Sequence, residues 1–230
     1  MAHTTLISSS PSPTARSTHL LDLADAALRR RRRTVQRIDI PALPADALVS
    51  ADSQAPALAA ALASVDAAEA IVIALPVSQS SFSGALKLFL DVLPQRGLVG
   101  KEVLVLASGT SLSDLLALDC ALLPVLSSLG ARRIAPHVFA TPAQLIAQSD
   151  HGYATDESLR ERLEHAVAQL DLVLSERAEL FAHRAAAIRQ RTADFFASLA
   201  TIEAAPADAK PTLPRPRPSR RGCEALFALD

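Results

Sequence analysis

Hydroxyl groups and one guanidinium crowd the segment Ser8-Ser9-Ser10-Pro11-Ser12-Pro13-Thr14-Ala15-Arg16-Ser17-Thr18, which joins an aliphatic run to an amphipathic one. A helix N-terminus presents unpaired N–H groups and a partial positive charge. Hydroxyl donors and an arginine added there supply the means to hold a phosphate. The same residues serve equally as a polar strand-to-helix turn with Ser17 as N-cap. Spacing alone does not separate the two readings. The loop has no glycine, so neither the dinucleotide pattern GxGxxG nor the triphosphate pattern GxxxxGKS is present. Two more polar loops follow apolar runs, Pro76 to Ser83 and Ser108 to Ser113. Ser80-Ser81 and Ser108-Gly109 lack the G-x-S-x-G frame of a nucleophilic serine. His137, His151, His165 and His183 are scattered without ligand spacing, so no metal is expected.

Short aliphatic runs must position these loops. Thr4–Ile7, Val35–Ile40, Ala70–Leu75, Val103–Ala107 and Ile134–Phe139 read as strands, several of them apolar on both faces as in a sheet covered by helices. Helical patterns alternate with them: Ser17–Arg33, Pro56–Val65 opened by its proline, Gly84–Leu93 stopped by Pro94, and Leu112–Leu129 ended by Gly130. A fifth helix starts near Asp156 and sets Leu159, Leu163, Val167, Leu170 and Leu174 on one face. Strict alternation implies a doubly wound parallel α/β sheet. Ligands then bind beyond the carboxyl ends of the strands, where the three polar loops lie.

The 230 residues suit one domain, and alanine supplies much of the 50% hydrophobic content. A net charge of −1 argues against a general nucleic-acid surface, and no apolar run approaches the length of a membrane span. With no signal-peptide pattern, cytoplasmic residence is the expectation. Cys120 and Cys223 form no CxxC pair, so a structural disulfide is not expected. Arg29 to Arg33 close the first helix and read as solvated surface, with the 2′-phosphate of NADPH as a minor alternative. His19 reads as an exposed helix histidine. The expected organisation is a domain over 1–180, a helical extension over 181–204, and a disordered Pro/Arg-rich tail over 205–230.

The run Pro76-Val77-Ser78-Gln79-Ser80-Ser81-Phe82-Ser83-Gly84-Ala85-Leu86-Lys87, then Leu93-Pro94 and Gly100-Lys101, resembles the NADPH-dependent FMN reductase family. That family's motif here is P-x-Y-x-x-x-x-S-G-x-L-K followed by LP and GK. The likeness continues through Ala107-Ser108-Gly109 and Leu118-Asp119-Cys120-Ala121-Leu122-Leu123-Pro124-Val125-Leu126, closest to the alkanesulfonate-utilisation branch, and spans roughly residues 4 to 180. It implies a flavodoxin-like five-stranded sheet of order 2-1-3-4-5 and a homodimer or homotetramer. It also implies NAD(P)H-dependent reduction of FMN, delivered to a two-component monooxygenase in sulfonate or sulfur metabolism.

Carried over by position, the resemblance makes Ser10, Arg16, Ser17 and Thr18 phosphate contacts. Pro76, Val77, Ser78 and Phe82 flank the isoalloxazine, and Ser108, Gly109 and Thr110 lie by its N1 and O2 edge, with N–H groups around Gly109 facing N1. Hydride passes directly from nicotinamide to flavin, so no catalytic side chain is implied. Arg96 and Lys101 match positions of loop structure or subunit contact. Four residues depart from the pattern: Ser9 for glycine, Ser12 for arginine, Ser78 for tyrosine and Thr110 for a second glycine. They point to a loosely held flavin. The resemblance also implies an inserted residue at Cys120 that makes a π-bulge, with the cysteine itself expected to be buried. Two other uses of the same frame stay open: tightly held FMN reducing quinones, azo dyes or nitro compounds, and a non-catalytic scaffold.

Overall fold

The computed structural model describes residues 3–148 and 152–203. Along the chain run β1 (His3–Ser8), α1 (Arg16–Arg30), β2 (Thr34–Asp39), α2 (Ala45–Ser50), α3 (Pro56–Ala67), β3 (Ala70–Pro76), α4 (Gly84–Val92) and β4 (Glu102–Ser108). There follow α5 (Leu123–Ser128), β5 (Arg133–Ile134), β6 (Val138–Ala140), β7 (Leu145–Ala147), β8 (Tyr153–Thr155) and α6 (Glu157–Glu203). The main sheet is parallel with order β2-β1-β3-β4-β5, the flavodoxin-like order expected.

Alternation along the central strands sends side chains to two separate cores. Ile71, Ile73, Leu75, Val103, Val105 and Ala107 meet the helices α3, α4 and α5 through Leu58, Val65, Phe89 and Leu126. Their neighbours Val72, Ala74, Leu104 and Leu106 face the other way, against Leu20, Leu21, Ala24 and Leu28 of α1 and Leu159, Leu163, Val167, Leu170 and Leu174 of α6. Each fully buried leucine, isoleucine or phenylalanine contributes roughly 1.5–3 kcal/mol, so these two layers dominate the stability.

Three local expectations change. The run Ile134–Phe139 is two short strands, both paired to β4, because Pro136 between them has no N–H for the ladder. The helix expected over Leu112–Leu129 begins as a 3₁₀ turn at Leu112–Leu115, widens to a π turn at Leu118–Leu122 and becomes α-helical only in α5. Pro124 cannot donate to the carbonyl four residues back, that of Cys120, and the backbone widens there. The π-bulge is thus present, but Cys120 is exposed rather than buried. Gly130 ends α5 with φ +90°, and a Cβ there would stand 2.4 Å from Val99 Cγ2.

The arginine run is structural rather than merely solvated. Arg30 and Arg31 both pair with Glu164, and Arg33 meets Asp171 Oδ1 at 2.5 Å and Ser175 Oγ at 2.6 Å. It closes the end of α1 opposite the loops, which removes it from any nucleotide site there. Lys101, also matched by the resemblance, caps α3 by donating to the carbonyls of Asp66 (2.7 Å) and Ala68 (2.8 Å). Burial lowers its pKa from the ordinary lysine value.

Contacts divide the chain into two units, Met1–Leu180 and Phe181–Asp230. In the second, α6 continues to Glu203 and exposes Phe181, Ile188 and Phe196. The tail expected over 205–230 lies outside the described residues. Among the described residues no helix is long and apolar enough to cross a membrane.

Candidate functional site

The chain leaves β1 for α1 on one face of the sheet and leaves β3 for α4 on the other, so a crevice opens between the two loops. Backbone bonds that extend the sheet fix where the loops start. Ser9 N–H donates to Ala74 O (3.0 Å), Val77 N–H to Ser108 O (2.7 Å) and Gly109 N–H to Ala140 O (3.1 Å).

In the first loop Ser8, Ser9, Ser10, Ser17 and Thr18 are buried. Ser10 Oγ donates to Ser12 O (3.1 Å) and accepts from Ser12 N–H (3.2 Å), while Thr18 Oγ1 donates to Ser12 O (3.0 Å). The N-cap of α1 is Ala15, not Ser17, so no side-chain oxygen covers the N–H groups of its first turn. Ser17 Oγ is buried and has no hydrogen-bond partner among the described residues. An uncapped helix N-terminus beside a buried spare hydroxyl matches what a phosphate needs, and the alternative of a self-satisfied polar turn loses its cap. A cavity of about 320 Å³ opens beside Ser10, Ser12 and Thr18 and reaches Arg37 and Asp39 at the end of β2. Arg37 is already held by Asp22 (2.5 Å) and Asp39 (2.9 Å).

Arg16 turns away from this cavity. Its Nε donates to Leu145 O (3.4 Å), and its guanidinium lies 5.6 Å from the ring centroid of Tyr153. Tyr153 in turn donates to Thr14 O at 2.9 Å. A hairpin of β7 and β8 thus clamps the loop from outside, a feature with no signal in the sequence beyond the chain's single tyrosine.

His19 belongs to the same clamp and is half-buried, not exposed: Nε2 lies 3.0 Å from Thr155 Oγ1 and the ring 5.5 Å from that of Tyr153. Burial pushes its pKa below the ordinary 6.5, Arg160 adds to that and Asp22 opposes it. The fold therefore prefers the neutral ring. That contribution is complete above about pH 6.5 and is lost as pH falls through the lower folded value. His19→Gln is expected to flatten the acid side of a Tm-against-pH curve; an unchanged slope between about pH 7.5 and 5 would show that His19 is not the sensor.

The second loop is a tight hairpin turn in which Ser78 and Ser81 exchange backbone bonds of 3.0 Å each. Gln79 (φ 50°) and Ser80 (φ 56°) both sit in the left-handed region, the geometry that Asn-Gly adopts without strain. The double variant Gln79→Asn, Ser80→Gly is expected to raise stability by about 1 kcal/mol, read as an increase in denaturation midpoint. Val77 is buried, Phe82 packs against the core beneath, and Ser83 caps α4 by accepting from Leu86 N–H (3.2 Å).

The third loop departs from expectation. The N–H groups around Gly109 do not face outward: that of Gly109 is taken by Ala140 O, and those of Thr110 (2.6 Å) and Ser111 (3.3 Å) by Asp114 Oδ2. Thr110 Oγ1 donates to the same oxygen at 2.8 Å. Hydrogen bonds from the Thr110 hydroxyl, its N–H and the Ser111 N–H hold the Asp114 carboxyl below its ordinary pKa. A Cβ on Gly109 would meet Phe139 Cζ at 2.6 Å and Asp114 Oδ2 at 2.8 Å, so only glycine fits. Sequence reasoning missed Asp114, although Ser111-x-x-Asp114 has capping-box spacing.

Residues 3–145 match the family model of the NADPH-dependent FMN reductases. An FMN reductase (NADPH) of Escherichia coli K12 is 39% identical over 140 residues, 61% of this chain and 73% of that protein. One of Pseudomonas putida KT2440 is 35% identical over 172 residues, 74% of this chain and 87% of that protein. The crystal structure of the apo form of the NADH:FMN oxidoreductase EMOB superposes with a TM-score of 0.68 at 31% identity, covering 75% of this chain and 90% of that one. With its sheet order and a match over most of the described domain, the chain belongs to the NADPH-dependent FMN reductase family, oxidoreductases that use NAD(P)H and FMN.

Proposed function

We propose that the chain takes up FMN as an exchangeable substrate, reduces it with NAD(P)H and releases it to a flavin-dependent monooxygenase, in the metabolism of sulfonates or related sulfur compounds. The enzyme occupies residues 1–180 and works as a homodimer or homotetramer. The observation that carries this reading is the second loop. Where the family motif has tyrosine, the small Ser78 sits in a turn bounded by serines, and the chain's one tyrosine is committed to the first loop. The site thereby lacks one stacking surface for the ring.

In this reading Ser10, Ser17, Thr18 and the α1 N-terminus take the phosphate, with Arg16 supplying long-range charge from beside Tyr153. Pro76, Val77, Ser78 and Phe82 flank the ring, and Ser108, Gly109 and Thr110 meet its pyrimidine edge. FMN when bound supplies the hydride-accepting N5; the protein orients the two rings and excludes water between them.

Purified protein is expected to be colourless, to quench FMN fluorescence on titration, and to oxidise NADPH or NADH only with added FMN, saturably. Stoichiometric FMN surviving gel filtration would overturn the substrate reading.

A further inference from the structure

The loop after β4 carries three polar hydrogens that would serve an electronegative edge of a ligand: Thr110 N–H, Thr110 O–H and Ser111 N–H. All three converge on one oxygen of Asp114. The carboxylate also lies against Gly109, within 2.8 Å of where a Cβ would be. An internal anion therefore occupies the donors of this loop, and its charge stays beside whatever approaches Gly109.

We propose that Asp114 is a built-in repellent of reduced flavin: its carboxylate stands at the pyrimidine edge of the ring and disfavours the negative charge that reduction places at N1. This rests on the reading that FMN binds in the crevice with that edge at Ser108 to Thr110. In the reaction NAD(P)H gives a hydride to N5 and leaves as NAD(P)⁺, and the two electrons gained leave flavin N1 anionic unless it takes a proton from water. Oxidised FMN is uncharged at that edge. A fixed negative charge nearby thus separates the two redox states by affinity, which weakens the product relative to the substrate. The FMN phosphate is common to both states and cancels from the comparison.

The competing interpretation is a plain helix cap, since Ser111 and Asp114 form a capping box. Asp114→Asn discriminates, because the amide oxygen still accepts the cap hydrogen bonds while the charge is gone. The measurement is the dissociation constant of oxidised FMN and, anaerobically, of reduced FMN. In the natural protein reduced FMN is expected to bind more weakly than oxidised FMN. In Asp114→Asn the reduced form should tighten about tenfold with under about twofold change for the oxidised form. The bound-flavin midpoint potential should rise by about 30 mV, the two-electron equivalent of that tenfold change.

A second measurement needs no variant. Raising ionic strength from about 0.02 to 0.5 M should shrink the reduced-to-oxidised ratio in the natural protein, because a solvent-reached carboxylate is screened. Oxidised FMN binding to both proteins with an unaltered, salt-independent ratio would overturn the repellent role and leave the proposed function standing. Absence of FMN binding in both would overturn the two together.

Discussion

Gly109→Val is expected to lower FMN-dependent NAD(P)H oxidation by at least about a hundredfold, the order of effect produced by an ångström-scale misplacement in a positioned site. The added branch has nowhere to go: a Cβ would already press on Phe139 Cζ at 2.6 Å and on Asp114 at 2.8 Å. Phe139 is buried at the sheet edge, and Asp114 is tied into the loop by three hydrogen bonds, so the loop itself must shift. Overpacking of this kind also costs about 1–3 kcal/mol. Stopped-assay rates together with a Tm separate the two effects. A variant that folds and retains full turnover would show that this loop lies outside the flavin site.

Phe89→Ala is expected to be the most destabilising single truncation, costing about 3–5 kcal/mol in urea unfolding. Phe89 is fully buried on α4, the helix that the second loop enters, and fills the core beneath β3 and β4. Against a domain stability of about 5–15 kcal/mol, such a loss populates unfolded chain at body temperature. The variant should therefore appear as lower yield and an earlier midpoint, with residual folded protein still binding FMN. A midpoint within about 1 kcal/mol of the natural protein would contradict the packing described.

Much of the sheet was legible because its physics is local. A strand apolar on both faces has one stable environment, between two helical layers, and β3 from Ala70 to Leu75 and β4 from Val103 to Ala107 have that character. The stripe from Leu159 to Leu174 likewise demanded a partner surface and found it on the sheet. What escaped the sequence depended on distant partners. Arg16 looked like a phosphate ligand because it stands beside serines in sequence; in space Tyr153 and the Leu145 carbonyl draw it outward. The arginine run looked solvated because Glu164 and Asp171 lie more than a hundred residues away. The donors of the third loop looked free because the one mark of their acceptor is the capping-box spacing Ser111-x-x-Asp114, which does not say that Thr110 joins it. Ser9 extends the sheet by donating its N–H to Ala74 O and Ser12 closes the turn around Ser10 and Thr18, roles that depend on partners the local sequence does not name.

The placement of α6 over one face of the sheet bears on where this polypeptide can be cut. The family match ends at residue 145, before α6 begins, but Leu159, Leu163, Val167, Leu170 and Leu174 cover the strand residues Val72, Leu104 and Leu106. A chain stopped at the end of the matched region would leave that layer bare to water, a sticky surface of branched aliphatic side chains with β-edges nearby. One relative aligns over 172 residues of sequence, well beyond the 143 of the family match at 3–145, so α6 goes with the sheet it covers, and the smallest fragment that keeps both faces of the sheet covered must run past Leu174.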